Sequence, residues 1–170
     1  HQSRKGFAMK IVRGVPSLVI ATQIAAEGFA REVSLALQKD VESHLKSGEL
    51  IYRAVDGSKD IGFGIFKILD SNILYISGII IRPGCQQKGL FAKMVNQARI
   101  DAPDVRYLAL RTQSCPCWDA GQKLCYDGEL DWAPKPGFNW VLADYLTHKA
   151  HIVSDYLGRK EISACWYQGS

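Results

Sequence analysis

Apolar and polar positions follow one another along this chain in blocks of changing period. Met9–Val12 is a short apolar run that predicts a strand. Beyond Pro16, the residues Ile24, Phe29, Val33, Leu37, Val41 and Leu45 recur mostly at four-residue spacing. That spacing predicts a helical region from about Thr22 to Lys46, with Arg31, Glu32, Lys39, Asp40 and Glu42 as its solvated side. Gly28 is the point at which the region would break in two, and Gly48 caps its end. Glu49–Val55 and Ile61–Leu69 then read as two strands around the turn residues Asp56-Gly57-Ser58-Lys59-Asp60. Asp70-Ser71-Asn72 makes a second turn into the long apolar run Ile73–Ile81.

That run breaks at Pro83-Gly84, passes through Gln86-Gln87-Lys88, and turns at Gly89 into a helix striped by Leu90, Met94, Val95 and Ala98. A strand, a glycine-containing loop and a helix N-terminus make a place for an anion. First-turn amides lack intrahelical partners, and the helix dipole is positive there. Lys88 adds a charge, and Gly89 allows close backbone approach. The same pattern also describes an ordinary strand-turn-helix packing unit.

Pro103 ends the helix, and Val105–Thr112 predicts a fifth strand. Two strands joined by a crossover helix must be parallel. Three antiparallel strands, Glu49–Val55, Ile61–Leu69 and Ile73–Ile81, precede the loop and set the chain apart from a Rossmann unit, which alternates strands and helices from its start. The Gly62-Phe63-Gly64 triplet is not a dinucleotide fingerprint, because no helix follows it. Farther on, Ala120–Tyr126 reads as a short helix, Gly128–Gly137 as a proline-stiffened loop, Phe138–Leu157 as a helix and Glu161–Tyr167 as a last strand.

Composition narrows the function classes. With 170 residues and 47% hydrophobic positions, one globular domain is expected over residues 9–170. Residues 1–8, ahead of Met9, resemble a tag remnant. No run of about 18 apolar residues predicts a membrane span. A net charge of +4 suits a small polyanion and falls short of a nucleic-acid-binding face. A cytoplasmic protein, monomer or homodimer, is expected, with no nucleic-acid or membrane partner. The five cysteines are expected as reduced thiols. Cys115-Pro116-Cys117 with Cys125 lacks a zinc-ligand spacing, and His148 with His151 adds little, so no metal is expected.

Ile81-Arg82-Pro83, Gly84-Cys85 and Gln86-Gln87-Lys88-Gly89-Leu90-Phe91 resemble the acyl-coenzyme A motif of the GNAT superfamily of N-acetyltransferases. That motif reads Val/Ile-x-Pro, two residues, then Arg/Gln-x-x-Gly-x-Gly/Ala, and Phe91 replaces its last small residue. The resemblance implies an α/β (α+β) GNAT fold: a mixed, mostly antiparallel central sheet with a splayed parallel strand pair and flanking helices. It implies acetyl-CoA as co-substrate, with the amides of Gln86, Gln87, Lys88, Gly89, Leu90 and Phe91 on the pyrophosphate. The Ile79–Ile80–Ile81 backbone would pair with the pantetheine arm, mainly through Ile79 and Ile81. The first helices commonly help line the acceptor site in proteins of this kind. The expected reaction is acyl transfer, most often acetyl, to a primary amine of a small molecule or protein. A non-catalytic acyl-CoA-binding sensor or interaction module is the alternative.

Catalysis requires a neutral amine, a polarised thioester carbonyl and a proton for the leaving thiolate. A backbone amide of Ile79–Ile81 suits the second task. Relatives often carry a glutamate on the fourth strand, whereas Leu74–Gly78 contains no carboxylate. Ser77 would orient a water, and Glu49, His44 or Asp70 would stand in as the base. Relatives also place Asn after the fifth strand and Tyr seven residues later. Ser114, expected among the coenzyme-binding residues, and Gly121 occupy those positions, which makes Tyr126 the nearest candidate acid. Trp118 and Trp132 are expected to shape the acceptor pocket, and Glu129 and Asp131 give the loop around Trp132 an acidic character.

Overall fold

The computed structural model describes residues 9–112, 120–121, 123–124, 131–133 and 162–167. They fall into two compact units. The first takes the described residues up to Lys67 together with Gly78–Ala98, and the second takes Ile68–Ser77 and those from Arg99 onward.

The first unit opens with β1 (Met9–Arg13) and two helices, α1 (Leu18–Gly28) and α2 (Leu35–Ser47). Ser17 and Ser34 cap them, their side chains accepting from the amides of Ile20 at 3.3 Å and Leu37 at 3.1 Å. The helical region predicted over Thr22–Lys46 is thus two helices, the first ending at Gly28 where the break was expected and starting earlier, at Leu18. Phe29 and Val33 continue the four-residue spacing but lie in the linker, where they are 49% and 59% exposed. Local capping chemistry at Gly28 and Ser34 overrides the apolar period. Gly48 does cap α2, but in an extended conformation.

β2 (Leu50–Asp56) pairs antiparallel with β1 and with β3 (Lys59–Leu69). The β2–β3 hairpin closes through Gly57 at φ +62°, tighter than the predicted Asp56–Asp60 loop. Phe63 and Ile65 of β3 face Ala21, Ile24 and Ala25 of α1 and Leu37 and Val41 of α2. Gly64, one step along, turns the other way, and a Cβ there would stand 2.7 Å from Met94 Sδ. Met94 belongs to α3 (Leu90–Asp101), whose buried residues Leu90, Met94, Val95 and Ala98 are the predicted stripe. Helices therefore cover both faces of the sheet in this unit. Burying a side chain such as Met94 contributes about 2 kcal/mol.

β4 (Ile73–Ile81) matches the predicted run in both bounds. It follows a turn in which Asp70 and Ser71 both adopt left-handed backbone and the Asn72 amide donates to the Leu69 carbonyl at 3.2 Å. In the second unit β4 pairs in parallel with β5 (Tyr107–Thr112), from Ile73↔Tyr107 to Ile76↔Leu110. β5 starts two residues after the predicted Val105, whose amide instead donates to Ala102. β7 (Ile162–Tyr167) pairs antiparallel with β5 and with β6 (Asp131–Ala133). The strand order is β1-β2-β3-β4-β5-β7-β6, mostly antiparallel with one parallel pair. Trp132, expected in an irregular loop, stands in strand β6. Pairing with a strand about thirty residues later creates this element, and no local pattern marks it. Ala120, Gly121, Lys123 and Leu124 are helical, in line with the short helix expected there. The predicted Phe138–Leu157 helix lies outside the described residues.

Candidate functional site

The distinctive geometry begins where β4 ends. The Arg82 amide donates to the Ile61 carbonyl of β3 at 2.8 Å. Backbone groups alternate sides along a strand, so the N–H and C=O of Ile79 and Ile81 point away from β3. On the side away from β3 the pairing with β5 has already stopped at Ile76↔Leu110, and among the described residues no strand takes up that edge of β4 beyond it. Ile79, Ile80 and Ile81 are half-buried. The Ile81 carbonyl accepts from Gln86 Nε2 at 3.1 Å, which leaves Ile79 as the residue presenting both donor and acceptor along this edge.

From Arg82 the chain makes a 3-10 turn over Pro83–Cys85, closed by the Cys85 amide on the Arg82 carbonyl at 2.8 Å. Gln87 (φ +62°) and Gly89 (φ +74°) are both left-handed, and Lys88 between them is not. Alternation of this kind makes concave runs of N–H groups that hold anions. The Lys93 amide donates to the Gly89 carbonyl at 3.1 Å, which starts α3 and leaves the amides of Leu90, Phe91 and Ala92 ahead of its hydrogen-bond ladder. Gly89 has no side chain to cap them. A Cβ on it would meet no atom of the described residues within 4 Å.

Gln86, Gln87, Lys88 and Gly89 are exposed and Phe91 is half-buried, whereas Leu90 is 2% exposed and offers the loop only its amide. Lys88 enters no ion pair among the described residues. Ser77 is 5% exposed within β4. Glu49 is exposed at the head of β2, its amide on the Phe66 carbonyl at 2.9 Å. Phe66 and Ile61 are about 17 Å apart along β3, so Glu49 stands at the opposite end of that strand from the loop that follows β4. His44 turns Nδ1 onto the Asp40 carbonyl at 2.8 Å, one helical turn back. Asp70 sits in the β3–β4 turn. Trp132 is placed by its backbone alone. Ser114, Trp118 and Tyr126 lie outside the described residues.

Sequence reasoning missed Arg82. Its side chain is 14% exposed and ion-paired to Glu27 at the end of α1 at 2.6 Å, and its Nε donates to the Asp60 carbonyl at 3.1 Å. Glu27 and Arg82 are 55 positions apart, and no local signal joins them. Among the described residues no group of three metal-ligating side chains occurs, and no helix is long and apolar enough to cross a membrane.

No protein-family model matches the sequence, and no curated protein matches it either. Solved structures do. The ribosomal-protein-S18-alanine N-acetyltransferase from Escherichia coli superposes with a TM-score of 0.61 at 15% identity, over 93% of this chain and 91% of that one. A GNAT-family acetyltransferase from Bacillus cereus matches at 0.60 and 10% identity, over 94% and 95%. The chain has the GNAT fold. An aminoglycoside 6′-N-acetyltransferase complexed with coenzyme A shares it over 61% of each chain, at 12% identity and a TM-score of 0.53.

Proposed function

We propose that this chain is an acyl-coenzyme A dependent N-acyltransferase of the GNAT superfamily, moving acetyl to a primary amine by direct attack in a ternary complex. One observation carries the proposal: an unpaired β4 edge at Ile79 runs straight into a loop with left-handed residues at 87 and 89 and an uncapped helix start. An extended amide-bearing arm ending in a pyrophosphate matches both halves of that surface. The amides from Gln86 to Phe91 hold the phosphates, with Lys88 beside them, and Ile79 pairs with the arm. The fold's solved relatives include an acetyltransferase in complex with coenzyme A, which favours the same ligand here.

The co-substrate supplies the thioester. The amine nitrogen attacks its carbonyl carbon, the C–S bond breaks, and the sulfur leaves as a thiolate that takes up a proton. Positioning a neutral amine beside the thioester supplies much of the rate, which lessens the need for a carboxylate within Leu74–Gly78. Ser77, Glu49 and Tyr126 are the proposed proton-handling groups, and Trp118 and Trp132 the proposed acceptor contacts.

Coenzyme A at a hundredfold excess over its Kd should stabilise the fold by about 2.7 kcal/mol, read as a rise in Tm. A thiol-release assay over a panel of amines then separates an enzyme from a binding module. Turnover on any amine supports the proposal. Tight binding without turnover supports the sensor alternative, and no thermal shift at millimolar coenzyme A removes both.

A further inference from the structure

Arg82 opens the anion loop, and the simplest role for it would be a phosphate ligand. Its surroundings argue otherwise. The guanidinium is spent on Glu27 at 2.6 Å and on the Asp60 carbonyl at 3.1 Å. The main chain of the same residue donates to Ile61 and accepts from Cys85, each at 2.8 Å. Four hydrogen bonds thus tie one residue to α1, to β3 and to the first turn of the loop. Asp60 itself is held by Arg53 Nη1 at 3.0 Å. At the far end the loop is anchored by Leu90, buried in the core. Between these pins, Pro83, Gly84 and residues 86–89 are exposed, and Gln86 reaches back to Ile81.

We infer that Arg82 is a positioning residue for coenzyme binding: Glu27 and the Asp60 carbonyl fix its guanidinium, and its main chain fixes the start of the anion loop. Glu27 offsets its charge, so Arg82 shapes the site without adding to the site's positive field. The inference rests on the proposed acyl-coenzyme A function. Gly28 extends the same connection. A Cβ there would lie 2.6 Å from Ile80 Cγ2, so the end of α1 sits against β4 beside the ion pair.

Calorimetric titration of coenzyme A into wild type, Glu27→Gln, Arg82→Gln, Arg82→Lys and the Glu27→Gln/Arg82→Gln double variant tests this. A loop less often in its binding-competent form weakens apparent affinity in proportion, so Arg82→Gln should bind roughly tenfold more weakly, and Glu27→Gln roughly threefold. The double variant should match Arg82→Gln alone, because the two residues act as one unit. Arg82→Lys should rescue little, since an ammonium cannot reproduce the two-sided fork. Salt dependence should stay as in wild type, and KM for acetyl-CoA should rise at constant kcat. Amide hydrogen exchange gives a readout without ligand: residues 86–91 should exchange faster in Arg82→Gln while β2 and β3 keep their protection. Tighter binding by Glu27→Gln, with a steeper salt dependence, would make Arg82 a restrained phosphate ligand and overturn the inference. So would unchanged affinity in a folded Arg82→Gln. If wild type binds no coenzyme A, the proposed function fails on its own, and unchanged loop exchange in Arg82→Gln would then sink the inference separately.

Discussion

On Gly62 in β3, an added Cβ would stand 2.7 Å from the Ile80 carbonyl oxygen and 2.5 Å from Ile81 Cδ1; on Gly89 it would meet no atom of the described residues within 4 Å. The first glycine is demanded by the protein's own packing, since β4 crosses too close for a side chain. The second is demanded by its backbone, at φ +74°, in space that the described residues leave open. A glycine crowded by its own chain reports on stability, and one facing nothing reports on what arrives from outside. The two kinds therefore answer different experiments.

The largest effect is expected at the crowded position. Gly62→Ala should cost about 2 kcal/mol, because a backbone carbonyl cannot swing aside as a side-chain end can. Thermal or urea unfolding measures it, and a loss under 0.5 kcal/mol would mean that β4 yields easily. Gly89→Asp comes next and reverses the pattern. Placing a unit charge about 4 Å from a phosphate, at an effective dielectric near 20, costs on the order of 4 kcal/mol before screening. A third of that is roughly a tenfold loss of coenzyme A affinity. Gly89→Ala separates charge from conformation: left-handed alanine should cost about 1 kcal/mol of stability and far less affinity. Wild-type affinity in a folded Gly89→Asp protein would move the phosphates elsewhere.

Gly64→Ala should fall below Gly62→Ala, at about 1 kcal/mol, although its nearest neighbour, at 2.7 Å, is as close as the Ile80 carbonyl oxygen is to Gly62. That neighbour is Met94 Sδ, the end of a flexible side chain, which can shift. A loss matching that of Gly62→Ala would show that Met94 is locked in place. Smallest of all is Lys88→Ala, expected to weaken coenzyme A binding by two- to threefold, because one exposed flexible charge contributes little. Its salt dependence should flatten slightly as well.

The contrast between these glycines also marks what was legible in the sequence. Ile73–Ile81 could be read in full, because a β-branched run bounded by turn residues has few alternatives. Gly89 could be read because its neighbours form a motif. The Gly62-Phe63-Gly64 triplet resembled a weak nucleotide signal, and its physical cause, the close passage of Ile80, Ile81 and Met94, lies on other elements. Gly28 marked the α1–α2 break, but the length of the linker was hidden because Phe29 and Val33 keep the helical spacing while lying exposed in it. Arg82 and Glu27 carried no signal at all, since pairing over 55 positions is a tertiary fact. β6 was read as loop for the same reason. Its three residues become a strand only by pairing with β7.

The order β5-β7-β6 also governs the timing of synthesis. β7 lies between two strands that both leave the ribosome before it, and β6 pairs with no strand but β7 among the described residues. At roughly 5–20 residues per second, β6 waits about two to six seconds for its partner to be made. For that interval the far edge of β5 also stands uncovered, with the backbone donors and acceptors of Tyr107–Thr112 open to any other strand. Completion of this end of the sheet is therefore a late event in the life of each nascent chain, set by translation rather than by the speed of strand pairing.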